Sequence, residues 1–330
     1  MCVDNQYIVF HEFGTPEDVL KVEQRPVTAP GQGEMLVRMI ARPVNPSDLI
    51  PIRGAYSHRI SLPCIPGYEG VGIVKDVGKD VAQELIGKRV LPLRGEGTWQ
   101  QYVKAPASWA VAIPDAITDD EAAQLYINPV TAWLICRDIL GLKPGAVLVV
   151  NACGSALGRI FAQLCKIFGV RFIAVTRNDH HTKELLELGA DSVINTDETP
   201  LKPAIMEQTG GLGADAAVDM IGGGPGTDLA CCVRADGVFV TLGLLSGVPL
   251  DWVEIRRSTT AAAKLFHLRH WNETVSVQVW QDTFRELMSL IQAKQLVLQL
   301  PRSRFELQKA GAAVRAAEAS GRNPGKYFLM

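Results

Sequence analysis

The sequence predicts an α/β protein in which a doubly wound parallel sheet follows a β-rich segment. Three observations carry that reading. Strand and helix signals alternate from Ala146 to Leu242, and the chain before residue 118 consists of short apolar or alternating runs broken by proline and glycine. Between them Ala146–Arg177, AVLVVNACGSALGRIFAQLCKIFGVRFIAVTR, holds strand, tight loop, helix and strand within about thirty residues.

In chain order, Gln6–Phe10, Glu34–Ala41, Gly70–Val77 and Arg89–Leu93 read as strands between turn signals. Asp119-Asp120-Glu121 puts acids where a helix macrodipole favours them, so a helix is expected from there to about Leu140. Ala146–Val150 follows a Pro144-Gly145 turn and is apolar throughout, as a strand buried on both faces requires. Leu157, Ile160, Phe161, Leu164, Cys165 and Phe168 fall on one helical stripe, with Gly169 at the C-cap position. Phe172–Thr176 is the next strand. Asp191–Asn195, Ala214–Met220 and Gly237–Leu242 are further strands, with helices at Ala204–Gln208 and Thr227–Val233. A long helix covers Thr283–Ala293, and short strands close the chain.

Composition narrows the function. A net charge of -2 with dispersed basic residues leaves no footprint for nucleic acid. Apolar runs stop short of the ~20 residues of a membrane span, and the N-terminus lacks the basic start of a signal peptide. Seven cysteines include no CxxC pair, which points to reduced thiols in a cytoplasmic protein.

Five segments in a fixed order carry a family resemblance. They are Val44-Asn45-Pro46-Ser47-Asp48, Pro66–Gly72 with Val77-Gly78, Gly97-Thr98-Trp99, Asn128–Trp133 (NPVTAW) and the loop Asn151–Gly158. Together they make the chain resemble the zinc-independent medium-chain dehydrogenase/reductase superfamily, in its quinone oxidoreductase and mitochondrial-type 2-enoyl thioester reductase branch. The resemblance implies a GroES-like catalytic domain over residues 1–117 and 264–330 and a Rossmann NADP-binding domain over residues 118–263. Zinc-dependent members carry Cys where this chain has Asn45 and His where it has Tyr68, so only Glu69 remains of three ligands and no zinc is expected.

The nucleotide loop departs from G-x-G-x-x-G. Of Cys153-Gly154-Ser155-Ala156-Leu157-Gly158 only Gly158, which allows close helix–strand packing, matches it in register. Ser155 is small enough for a pyrophosphate to approach, and N-x-x-x-S-x-x-G resembles the thioester reductases more than the quinone reductases. The strand after it ends Thr176-Arg177-Asn178, where an NAD site would offer an acid. An arginine there grips a 2′-phosphate, which implies NADPH (NADP+), with His181 and Lys183 as helpers. The turns at Ile221-Gly222 and Gly243-Leu244, and Phe266–Leu268, are expected along the cofactor; the resemblance puts Asn45 and Thr131 against the nicotinamide and makes Asn45 a catalytic residue beside Tyr56.

Hydride delivery to the β-carbon of a conjugated carbonyl needs an oxyanion donor and a proton for the α-carbon. Tyr56 matches the catalytic tyrosine of the thioester reductases; the other reading is a packing tyrosine. Tyr68 is its rival, and Trp99 a further substrate contact. The expected reaction is NADPH-dependent reduction of an activated carbon–carbon double bond, first of an enoyl-CoA or enoyl-ACP thioester. A quinone or small enone is the alternative substrate, and a nucleotide-binding sensor or structural protein without turnover the alternative of another class. Pro249–Ile255, PLDWVEI, alternates like an exposed sheet edge, which implies a homodimer.

Overall fold

The computed structural model describes residues 4–319 and 325–330. The chain divides into two units: Met1–Ile127 with Val275–Lys294 and Leu298–Met330, and Asn128–Thr274 with Gln295–Val297.

In the first unit β1 (Asp4–Phe10) leads through the short helix α1 (Pro16–Val19) into β2 (Leu20–Pro26), its antiparallel partner. β3 (Glu34–Pro43) runs into α2 (Pro46–Ile52), and β4 (Val71–Val77), β5 (Arg89–Leu91), β6 (Tyr102–Pro106) and β7 (Val111–Ala112) follow. β3 is the central strand, pairing antiparallel with β4 and β6. Its alternate residues Met35, Val37 and Met39 enter one apolar cluster with Val74, Val90 and Val103, as the two-residue period of a half-buried strand demands.

The helix expected from Asp119 to about Leu140 is three pieces. α3 (Asp119–Ala123) is closed by a capping box, in which Glu121 accepts from the Thr118 backbone at 2.8 Å and Thr118 from that of Glu121 at 3.3 Å. α4 (Ile127–Leu134) starts afresh and passes into a π-helical turn, Ile135–Ile139. The break has a physical cause: the buried Glu69 carboxylate takes the backbone N–H groups of Tyr126 and Ile127, at 3.2 and 2.8 Å. Those donors are then lost to any helix running through.

The second unit alternates as expected. β8 (Val147–Val150), α5 (Ala156–Phe168), β9 (Arg171–Thr176), α6 (Thr182–Leu188), β10 (Ser192–Asn195), α7 (Leu201–Gln208) and β11 (Ala214–Asp219) come first. α8 (Gly223–Ala230), β12 (Val233–Thr241), α9 (Trp252–Ser258), β13 (Ala262–Leu265) and α10 (Leu268–Thr274) complete it. The strand order β10-β9-β8-β11-β12-β13, all parallel, is that of a doubly wound dinucleotide fold. The helix expected at Thr227–Val233 lies earlier, because Val233 already pairs with Ala214 in the sheet. PLDWVEI is no strand. Asp251 accepts from the backbone of Val253 at 3.0 Å and Glu254 at 2.9 Å and so caps α9. The open edge is β13 instead, all four of whose residues are exposed.

The chain then returns to the first unit with α11 (Val277–Gln292), β14 (Pro301–Phe305), α12 (Ala310–Ala319) and β15 (Lys326–Leu329). Trp280, Phe284, Leu287 and Ile291 form the buried stripe of α11, each contributing about 1.5–3 kcal/mol by leaving water. β15 lies between β14 and β3. The fully buried Arg42 of β3 donates to the carbonyls of Leu329 at 3.1 Å and Gln100 at 2.9 Å. Both expected domain boundaries move. Residue 264 lies inside β13, which pairs with β12, so the return to the first unit comes at Val275. α3 packs on β3 and β4, so the first boundary follows Ile127. Among the described residues no helix is long and apolar enough to cross a membrane.

Candidate active site

In the second unit the candidate residues gather at the carboxyl ends of the strands, on either side of the β8/β11 switch point. Asp219, at the end of β11, organises that edge. Its buried carboxylate accepts from the Asn151 side chain at 2.6 Å, the Thr241 hydroxyl at 3.2 Å and the backbone of Ile221 and Gly222 at 3.0 and 3.1 Å. Asn151 in turn accepts from Met220 N at 2.8 Å. One acid thus ties β8, β11 and β12 together and fixes the Ile221-Gly222 turn.

The loop after β8 is tightly built. Ala152 sits at φ 50°, a left-handed conformation that costs a non-glycine residue about 1–2 kcal/mol. Ser155 is the N-cap of α5, its hydroxyl accepting from Gly158 N at 3.1 Å. Gly158 is obligatory, since a Cβ there would stand 2.4 Å from Cys153 Cα. A Cβ on Gly154 would stand 2.5 Å from the His181 ring. Beneath this loop Arg159, buried within α5, donates to the Gly154 carbonyl and pairs with Glu184 through two nitrogens, at 2.7 and 2.6 Å.

The arrangement fits a dinucleotide. The N–H groups of Ala156 and Leu157 open the first turn of a thirteen-residue helix, where no intrahelical acceptor exists and negative charge is favoured. Thr176, at the end of β9, keeps a buried hydroxyl that meets no partner among the described residues. Arg177 is exposed, and no ion pair engages it among the described residues. Asn178 accepts from His180 N at 3.2 Å. Asp179, the acid that could have claimed a ribose hydroxyl, accepts instead from Asn195 and Thr182, both at 3.1 Å. Gly243 abuts the Met220 carbonyl, Leu244 is half exposed, and Phe266 is buried with its N–H on Thr241 O at 2.9 Å. Leu268 opens α10 and Thr131 is buried within α4.

The first unit brings together Asn45, Asp48, Tyr68, Glu69 and Lys326. Asn45 is 2% exposed; its Nδ2 donates to Glu69 Oε1 at 2.8 Å and its Oδ1 accepts from the Lys326 ammonium. Asp48 accepts from Asn45 N at 2.7 Å and Tyr68 N at 3.1 Å. Burial first, and then the neighbouring Glu69 charge, push the Asp48 carboxyl up to about 7, against the two backbone hydrogen bonds and Lys326. Burial likewise raises Glu69 and lowers Lys326. Tyr68 is 44% exposed, yet desolvation of its hydroxyl and the Asp48 charge push it up to about 12. Tyr56 lies near enough to Tyr68 to add to that rise, and the Arg59 guanidinium stacks 3.7 Å from the Tyr56 ring centre.

Trp99 must be withdrawn as a substrate contact. It is completely buried in the apolar cluster with Ile8, Phe10, Ile52 and Leu329, directly beneath Gly67. Arg159, Asp219 and Lys326 went unnoticed in the sequence. For Arg159 the sign was a charge in the middle of Ala156–Ala162, whose other residues are all uncharged and apolar or glycine. Lys326 stands 281 residues from Asn45 and carries no local sign.

Two family descriptions match the chain: the alcohol dehydrogenase GroES-like domain over residues 31–115 and the zinc-binding dehydrogenases over residues 156–293. A mitochondrial enoyl-[acyl-carrier-protein] reductase of Caenorhabditis elegans is 31% identical over 250 residues, 74% of this chain and 71% of that protein. A crystal structure from Bacillus thuringiensis, described as a candidate NADPH:quinone reductase, is 54% identical with a TM-score of 0.98, covering 99% of both chains. A mycobacterial protein in complex with NADPH is 25% identical with a TM-score of 0.88, covering 98% of this chain and 99% of its own.

Proposed function

This chain belongs to the medium-chain dehydrogenase/reductase superfamily, in the branch of the quinone oxidoreductases and enoyl reductases, and is an oxidoreductase; we propose that it reduces activated carbon–carbon double bonds with NADPH, first those of 2-enoyl thioesters of CoA or acyl-carrier protein. The observation that carries the cofactor choice is the contrast after β9, where Arg177 has no ion pair among the described residues and Asp179 is engaged. A guanidinium can grip the 2′-phosphate there, while both oxygens of Asp179 already accept hydrogen bonds.

When bound, NADPH supplies the hydride for the β-carbon. Gly154, Ser155, Ala156, Leu157 and Gly158 admit the pyrophosphate to the start of α5, and Thr176 and Asn178 flank Arg177 around the ribose. Ile221, Gly222, Gly243, Leu244, Phe266, Leu268 and Thr131 border the remainder of the dinucleotide. Tyr56 donates the proton to the α-carbon. Tyr68, its hydroxyl pushed up to about 12 by burial, serves as a substrate wall. Asn45 faces the reacting carbonyl. The chemistry calls on no zinc.

The similarity to a candidate NADPH:quinone reductase supports a second reading, in which a quinone or enone is reduced. NADPH oxidation with crotonyl-CoA and 1,4-benzoquinone, by the wild type and Tyr56→Phe, separates the two. Loss of crotonyl-CoA turnover in Tyr56→Phe is expected. Inert crotonyl-CoA with equal quinone reduction by both proteins overturns the thioester mechanism. The exposed edge strand β13, with Leu265 71% exposed, supports a homodimer. Light scattering tests it, and Leu265→Lys should yield the monomer mass if that edge makes the contact.

A further inference from the structure

One buried cation of the first unit, Lys326, has no part in the proposed chemistry. Lys326 is 6% exposed, and burying an ammonium is costly unless it is paired. Its hydrogen-bond partner is the Oδ1 of Asn45. On the other side of the same amide stands Glu69, which accepts from Asn45 Nδ2 at 2.8 Å and, through its other oxygen, from Tyr126 N and Ile127 N.

An ammonium can only donate and a carboxylate can only accept. Turning the Asn45 amide over would set its N–H groups against the ammonium and its oxygen against the carboxylate. Both contacts would become repulsive, so one orientation is enforced. Nδ2 carries two hydrogens, and Glu69 takes one; the other meets no acceptor among the described residues. Asp48 fixes the backbone of the same residue, accepting from Asn45 N at 2.7 Å.

We infer that Lys326 is a positioning residue that locks the Asn45 amide with its oxygen turned inward, so that Asn45 meets a ligand only as a hydrogen-bond donor. The ligand group this suits is an oxygen that gains negative charge during reduction, such as the carbonyl oxygen of an enoyl thioester or a quinone. A donor set in advance toward such an oxygen is worth most where water is excluded. The inference rests on the reading of Asn45 as a substrate-facing residue of a reductase.

The test is a double-mutant cycle on NADPH-dependent turnover of whichever of crotonyl-CoA and 1,4-benzoquinone the wild type reduces, with Asn45→Ala, Lys326→Met and the pair together. Asn45→Ala is expected to lower kcat about 100-fold, and Lys326→Met about tenfold. The pair should be no slower than Asn45→Ala alone, because the ammonium acts through the amide. The KM for NADPH should stay unchanged in Lys326→Met, a split that general loosening of the fold would not produce. Full, multiplicative loss in the pair overturns the inference while leaving Asn45 in its role. Unchanged turnover in Asn45→Ala overturns both the role and the inference. Should Lys326→Met fail to fold, Asn45→Asp decides: it keeps a partner for the ammonium and removes the donor. It should lose turnover as Asn45→Ala does, and retained turnover overturns the inference.

Discussion

Arg159 and Glu184 are joined side by side, Nε to Oε1 at 2.7 Å and Nη2 to Oε2 at 2.6 Å, while the third guanidinium nitrogen holds the Gly154 carbonyl. The pair therefore braces α5 against α6 directly under the nucleotide loop. Arg159→Met keeps the volume and removes the brace. It is expected to lower stability by about 1.5–3 kcal/mol, the range for hydrogen bonds to charged groups, and to raise the KM for NADPH. Thermal unfolding with and without NADPH, alongside steady-state kinetics, checks both. An unchanged KM would separate the brace from the loop.

Arg177→Ala tests the proposed grip on the 2′-phosphate alone. Losing a charge-assisted bidentate contact of about 1.5–3 kcal/mol should raise the KM for NADPH about tenfold to a hundredfold. NADH use should hardly change. Equal effects on the two nucleotides would remove Arg177 from the cofactor site.

Gly158→Ala probes packing. The added methyl would meet Cys153 Cα at 2.4 Å and Cys153 O at 2.6 Å, both backbone atoms. Overpacking of this kind costs about 1–3 kcal/mol, so a lower melting temperature is expected together with weaker NADPH binding by fluorescence titration. A variant as stable as the wild type would mean that the loop yields without cost.

Asp48 makes stability depend on pH. Its carboxyl binds a proton more tightly folded, where it stands at about 7, than unfolded, where about 3.9 is usual. The folded state is thus favoured at low pH, and stability drains away as the pH rises from about 4 to about 7. Glu69 is raised as well, and Lys326, lowered by its burial, faces both. Asp48→Asn should flatten the fall in melting temperature across that window without abolishing it, since Glu69 remains. Parallel profiles would contradict the assignment.

Local patterns were legible and distant ones were not. The helix Ala156–Phe168 and the cap at Gly169 appear as read, because the apolar residues recur at the helical period; burial goes further than the stripe, since every residue from Leu157 to Cys165 is buried. PLDWVEI misled through Leu250-Asp251-Trp252 and Val253-Glu254-Ile255, each of which sets an acid between two apolar residues. The better sign was Asp251 followed three residues on by Glu254, an N-terminal cap signature. Arg177 was singled out by the interval after the loop, and the structure has it exposed just beyond β9; its part in cofactor binding is a proposal. The Asn45, Glu69 and Lys326 group could not be assembled from the chain, since its members meet only when the two ends of the first unit pair.

That pairing orders events during synthesis. β3 finds its neighbour β15 only after the whole second unit has been made. Until then Arg42 has no Leu329 carbonyl to donate to, and Asn45 no ammonium beside it. A nascent chain halted after Thr274 therefore carries a complete parallel sheet for the nucleotide but an unfinished first unit. Such a chain should hold NADPH before it can turn over any substrate.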